Sequence, residues 1–113
     1  MAYADVDSLL EKATYEMALA QSENEDFKSA EAGYYAFYNI WPESPNAEKA
    51  MFSRGFILNE NLGMNTRAQT VLEEFLQKYP NSALKVSAQW LVDNIKSNGK
   101  LADDLMKKIE AEE

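Results

Sequence analysis

Apolar residues recur along the chain at spacings of three and four, the period of an amphipathic α-helix, in stretches divided by proline, glycine and asparagine. The first stretch runs Val6, Leu9, Leu10, Ala13, Met17 and Ala20, which predicts a helix with that face toward a core. Ser8 with Glu11 has the form of a capping box and predicts a start near Ser8. A second stretch opens at Asn24-Glu25-Asp26, carries Phe27, Ala30, Tyr34, Phe37 and Tyr38 on one side, and ends at Trp41-Pro42. Ser44 as N-cap and Pro45 at the first helical position predict a third helix through Ala47, Ala50, Met51, Arg54 and Leu58, closed by Asn61-Leu62-Gly63. Thr66 and Gln69 form another capping box ahead of Ala68, Val71, Leu72, Phe75 and Leu76, with Tyr79-Pro80 as the stop. A fifth helix from about Ser82 to Ile95 and a sixth from about Leu101 to Ile109 flank Ser97-Asn98-Gly99. Gly33 and Gly55 lie inside helices and predict close helix contact. No β-branched run alternates at period two, so the fold class is all-α, with about six antiparallel helices.

The pattern repeats. A shift of 38 residues superposes Ala30 on Ala68, Phe37 on Phe75, Trp41-Pro42 on Tyr79-Pro80, Ser44 on Ser82, Ala50 on Ala88 and Phe52 on Trp90. The small alanine lets one helix approach another, the aromatic fills the gap between them, and the aromatic-proline pair ends the unit. Such a unit is a helical hairpin that buries its apolar face by stacking on the next. The whole chain, 1–113, therefore reads as a single domain with units of about 5–42, 43–80 and 81–111.

Composition narrows the chemistry. With no cysteine and no histidine among 113 residues there is no thiol nucleophile, imidazole base, zinc-thiolate centre or histidine ligand, and neither a catalytic residue nor a cofactor is expected. Ser97 and Lys100 have the Ser-x-x-Lys spacing of a serine acyl-enzyme, but they sit at a glycine turn without the motifs that accompany that spacing. Asp5-Val6-Asp7 lacks the turn glycine and twelfth-position glutamate of a calcium loop. Adjacent acids such as Glu73-Glu74 and Asp103-Asp104 diverge by about 100° on a helix and cannot share a proton. The net charge of −8, of which −6 falls in residues 1–31, argues against nucleic acid as a partner. That acidic segment suits either a basic partner surface or plain solubility. No apolar run is long enough to span a bilayer. The start Met-Ala-Tyr-Ala-Asp lacks the basic and apolar regions of a signal peptide, which predicts either a cytosolic chain or a mature form carrying an added initiator Met.

The motifs Glu25-Asp26-Phe27-Lys28-Ser29-Ala30 and Met51-Phe52-Ser53-Arg54-Gly55, with Ala68 and Pro80, resemble the tetratricopeptide repeat over roughly residues 13–95. The family period is 34 residues. The longer period here, and the run Phe75-Leu76-Gln77-Lys78-Tyr79-Pro80-Asn81-Ser82, are similar to the repeats of bacterial envelope proteins such as the outer-membrane assembly lipoprotein BamD and the Tol-Pal-associated coordinator of cell division. The last unit lacks an alanine in register and departs from the pattern. The resemblance implies a right-handed solenoid of helical hairpins, a non-enzymatic protein-interaction scaffold, and a periplasmic or outer-membrane-associated setting, with the cytoplasm as the alternative.

It further implies a concave groove lined by the first helix of each unit. The matching positions are Tyr15, Phe52 and Trp90, preceded by Lys12, Lys49 and Ser87 and followed by Leu19, Phe56 and Asn94, with Asn59 as a further polar contact. Aromatics flanked by cations and amides suit a protein or peptide partner, although an aromatic stripe at this spacing also suits core packing. The second implied reading is a structural subunit that self-associates through the solenoid ends or its convex face.

Overall fold

A computed structural model describes residues 3–112. Met1 and Ala2, where the leader reading begins, and Glu113 of the acidic tail lie outside the described residues, as does the side chain of Asp5. Five α-helices follow in order: α1 Tyr3–Glu23, α2 Phe27–Ile40, α3 Ala47–Glu60, α4 Asn65–Lys78 and α5 Lys85–Glu112. No strand occurs among the described residues. Each helix packs chiefly on its neighbours in the chain, giving an elongated stack of 72 × 30 × 18 Å. Its radius of gyration of 17.4 Å exceeds the roughly 13 Å of a compact 100-residue domain.

The 38-residue repeat is also a repeat of bonds. The Trp41 N–H donates to the Phe37 carbonyl at 2.9 Å and the Tyr79 N–H to that of Phe75 at 2.8 Å. The ring pairs Phe37–Trp41 and Phe75–Tyr79 stand 5.6 and 5.5 Å apart, so each aromatic ahead of the proline closes its helix and covers the core phenylalanine at once. Ser44 and Ser82 then turn the chain: their N–H groups reach the carbonyls of Trp41 and Tyr79, both at 3.1 Å, and their hydroxyls accept from the N–H of Asn46 and Leu84. Because these serines close the turn rather than begin a helix, α3 starts at Ala47, later than a cap at Ser44 predicts, and α5 at Lys85, later than the start expected near Ser82.

The core is built from the residues the repeat aligns. Ala30, Ala50, Ala68, Ala88, Phe37 and Phe75 are wholly inaccessible to solvent. Gly55 is a close-approach position, since a Cβ there would stand 2.6 Å from the Cδ2 of Leu72 on α4. Between α2 and α3, Arg54 donates from Nε to Glu31 at 2.6 Å and from Nη1 to the Tyr38 hydroxyl at 2.8 Å, with its guanidinium 4.1 Å from the centre of the Tyr35 ring. Donation to two acceptors holds a partly buried cation that would otherwise be costly to desolvate.

Three expectations are corrected. First, α1 begins at Tyr3, so Ser8 and Glu11 lie within the helix and cap nothing. Its apolar stripe also faces outward: Val6, Leu9, Leu10 and Met17 are 46 to 65% exposed, and Ala18 with half-buried Tyr15 meets α2 instead. The α1 helix has α2 as its main neighbour, and Gly33 admits Ala18 so closely that a Cβ at 33 would be 3.1 Å from the Ala18 Cβ. That contact orients the helix with the larger side chains on the far side. Second, α4 starts at Asn65 after Met64, and Gln69 bonds Glu73 within the helix rather than closing a capping box with Thr66. Third, Ser97-Asn98-Gly99 does not divide two helices: α5 is one 28-residue helix, and the described residues form five helices rather than about six. A single helical glycine costs about 1 kcal/mol relative to alanine, too little to break a helix of this length.

The turns after α1 and α3 reverse through left-handed residues that are also 38 apart, Glu25 at φ 63° and Gly63 at φ 64°. A residue bearing a Cβ pays about 1–2 kcal/mol there, and glycine does not. Glu25→Gly is therefore expected to stabilise the fold by about 1 kcal/mol, and Gly63→Ala to destabilise it by a similar amount. Urea unfolding of the two variants checks the sign at each turn.

Candidate functional site

The first helices of the repeat, α1, α3 and α5, bring aromatic and aliphatic side chains to two abutting clefts. One, of about 470 Å³, is lined by Phe52, Phe56 and Glu60 of α3 and by Val86, Ser87, Trp90 and Leu91 of α5. The other, of about 300 Å³, is lined by Leu19 and Ser22 of α1, Tyr34 of α2, and Phe52, Ser53, Phe56 and Ile57 of α3. Phe52 and Phe56 belong to both and form the ridge between them, with ring centres 6.4 Å apart. Trp90 is 64% exposed and Val86 78% exposed, so the wall on α5 is open to solvent.

Of the ten residues matched to the groove, Leu19, Phe52, Phe56, Ser87 and Trp90 line these clefts. The others sit elsewhere or are engaged. Tyr15 stacks on Tyr34 and Phe37 at 5.9 and 5.2 Å within the α1–α2 contact. Asn59 donates to Glu60 at 3.1 Å, and Asn94 donates to the Trp90 carbonyl one turn back at 3.2 Å. Lys12 and Lys49 are exposed and line neither cleft. Phe52 has a double role, because its ring also packs 5.7 Å from that of Phe75 in the core. Val86 was not singled out from the sequence. Its place one turn before Trp90 on the same helical face is the signal that identifies it.

A larger cleft, about 870 Å³, lies over α2, α3 and α4 and is lined by Tyr35, Arg54, Arg67, Thr70 and Glu74 among others. Size alone does not make it the better site. Its central cation, Arg54, is already bound to Glu31 and Tyr38, and its walls mix both signs of charge. Ser97 and Lys100 are both exposed, one turn apart on α5, with no acyl-enzyme motif around them. Among the described residues no group of three or more acids, histidines or cysteines could hold a metal ion, and no helix is long and apolar enough to cross a membrane.

Apart from Arg54, the groups whose titration the fold shifts are tyrosines. Burial pushes the phenols of Tyr15, Tyr34, Tyr38 and Tyr79 above the usual value of 10.0, most simply at Tyr15, where burial is the sole cause. At Tyr38 the Arg54 bond and charge partly oppose the rise. A phenol whose folded pKa is raised holds its proton where the unfolded chain has lost it. Its contribution to stability is then complete below about pH 10 and is lost as the pH climbs through the folded value. Denaturant midpoints are thus expected to fall above pH 10, in step with the tyrosinate absorbance. A midpoint independent of pH in that range would contradict the burial of these rings.

One segment of the chain matches a known family model. Residues 49–82, spanning nearly all of α3 and the whole of α4, match the tetratricopeptide repeat. The all-helical stack of paired helices is a fold of that kind. Repeats of this family mediate protein–protein interaction and are typically non-enzymatic scaffolds, which makes proteins the expected class of partner. No curated protein matches the chain.

Proposed function

We propose that the chain is a non-enzymatic scaffold that binds a partner segment, extended or helical, in the apolar cleft between α3 and α5. The observation that carries this reading is the grouping of Phe52, Phe56, Val86 and Trp90 around one open cleft in a protein of net charge −8. Apolar side chains left open together mark a surface that gains from being covered. Tryptophan and phenylalanine supply large contact area with few rotatable bonds, so their loss of freedom on binding is small. Glu60 and Ser87 at the rim offer a carboxylate and a hydroxyl to the partner's backbone or a basic side chain. A bacterial-envelope setting, periplasmic or at the outer membrane, is supported by the likeness of the Phe75–Ser82 run to envelope repeats. The cytoplasm is the alternative.

The test is a selection of random displayed peptides on the intact chain, followed by fluorescence titration in a Trp41→Phe background that leaves Trp90 as the sole indole. Selected peptides that shift the Trp90 emission to the blue and saturate support the cleft. Failure of any peptide to be enriched, or enrichment that leaves the emission unchanged, overturns it.

A further inference from the structure

Among the described residues that line the two abutting clefts, Glu60 alone is charged. It is the last residue of α3, and Glu23 is the last of α1. Leu19 stands four residues before Glu23 and Phe56 four before Glu60, and these two apolar side chains line one cleft together. At 100° per residue each acid falls within about 40° of that apolar neighbour, on the groove face of its helix. Both helices run antiparallel to α2, so the two carboxylates stand at the same end of the apolar surface. The charge of Glu23 also reaches the Tyr34 phenol of the second cleft, where it adds to the rise in pKa that burial chiefly causes.

These acids oppose the helices that carry them. The C-terminal end of a helix bears partial negative charge and favours a cation, and α4 conforms by ending on Lys78. Neither α1 nor α3 has a basic residue in its last turn, so Glu23 and Glu60 add to two negative helix ends. Both side chains are exposed, and neither forms an ion pair among the described residues. Asn59 donates to Oε1 of Glu60 at 3.1 Å, which orients the carboxylate and leaves Oε2 for another donor. The cations on the same face, Lys12 and Lys49, stand eleven residues earlier, about 16 Å away along the helix, and Glu16 one turn after Lys12 offsets the first of them. Negative charge that the fold disfavours, repeated at equivalent helix ends beside open apolar side chains, is complementary to a cation supplied by a partner.

Given that the α3–α5 cleft binds a partner segment, we infer that this segment presents a lysine or arginine to the Glu23–Glu60 end while its apolar side chains enter between Phe56 and Trp90. The methylene stem of either basic residue covers exposed ring surface, and its charged head meets the carboxylates. An acidic segment of the same hydrophobicity is repelled, so the charge selects among sequences that the apolar walls alone would accept. With the acids at one end only, it also fixes the direction in which the segment lies.

The test runs the displayed-peptide selection in parallel on the full chain and on the double variant Glu23→Gln/Glu60→Gln. Peptides enriched on the parent are expected to carry Lys or Arg within about one helical turn of an apolar anchor, and that bias is expected to vanish on the variant. For the most enriched peptide, made synthetically, replacing its basic residue with Gln is expected to weaken binding about tenfold on the parent and hardly at all on the variant. Added salt weakens the parent complex more than the variant's. The variant is expected to unfold at the same urea concentration as the parent or a higher one, because each substitution removes an acid from a negative helix end. Peptides that shift the Trp90 emission but show no basic bias, or that bind parent and variant alike, overturn the cationic partner and leave the cleft as the site. A selection that enriches no peptide overturns the cleft, and the cationic partner with it.

Discussion

Truncating Phe75 to alanine is expected to cost about 3–5 kcal/mol, the range found when a fully buried phenylalanine is removed and the cavity only partly collapses. The side chain has no solvent exposure. It packs 5.7 Å from Phe52 on α3 and 5.5 Å from Tyr79, the residue that closes α4. Its removal therefore loosens the α3–α4 hairpin and the helix end together. Against a total stability of roughly 5–15 kcal/mol, such a loss leaves a substantial unfolded fraction at ambient temperature. Urea unfolding followed by circular dichroism measures it, and a loss below about 1 kcal/mol would mean that the Phe75 site collapses around the deletion. Phe37 occupies the same place in the first hairpin, between Tyr15 and Trp41, so Phe37→Ala is the matched control within the protein.

Trp90→Ala is expected to have the opposite profile. With 64% of the residue exposed, the fold loses little, within about 0.5 kcal/mol. The affinity for peptides selected on the cleft is expected to fall about 30-fold or more, the loss that accompanies removal of an aromatic anchor at the centre of an interface. The pairing of the two measurements is what discriminates. Tyr15→Ala, drawn from the same aromatic column in the sequence, is expected to lose stability first, because its ring lies against Tyr34 and Phe37 rather than in a cleft. Phe52→Ala loses both, since that ring belongs to the cleft and to the core. A Trp90→Ala variant that unfolds, or one that binds as the parent does, would remove the tryptophan from the site.

What could be read from the residues and what could not follow from the same physics. The hairpin repeat was legible because its markers are demanding positions. Ala30 and Ala68 allow close approach, Phe37 and Phe75 fill a gap of fixed size, and the aromatic-proline pairs end a helix. Residue types there are constrained, so they recur. The outward face of α1 was not legible, because periodicity shows that a helix has an apolar side and is silent on which neighbour claims it. Ala18 against Gly33 decided the orientation, a contact between two small residues that carries almost no hydropathy signal. Ser44 has the form of a cap and acts, like Ser82, as a turn, since a hydroxyl can accept from a nearby N–H in either role. Gly99 marked a break that does not exist: a Cβ there would meet nothing within 4 Å, so no close approach requires the glycine, and the helix continues through it. For the clefts, the register of Phe52, Phe56 and Trp90 was visible, whereas the burial of Tyr15 and the internal bonds of Asn59 and Asn94 depend on neighbours that one sequence does not identify.

The chain-neighbour packing of the five helices also has a consequence for biosynthesis. A topology without distant pairings gives an emerging chain little to wait for, since the partner of each helix has either just left the ribosome or is the next segment to do so. The α1–α2 hairpin is complete well before α5 is made, and each later helix adds to a surface already laid down. Assembly of the stack then follows the order of translation, and the long α5, the last helix synthesised, is the one that brings the Trp90 wall of the cleft into place.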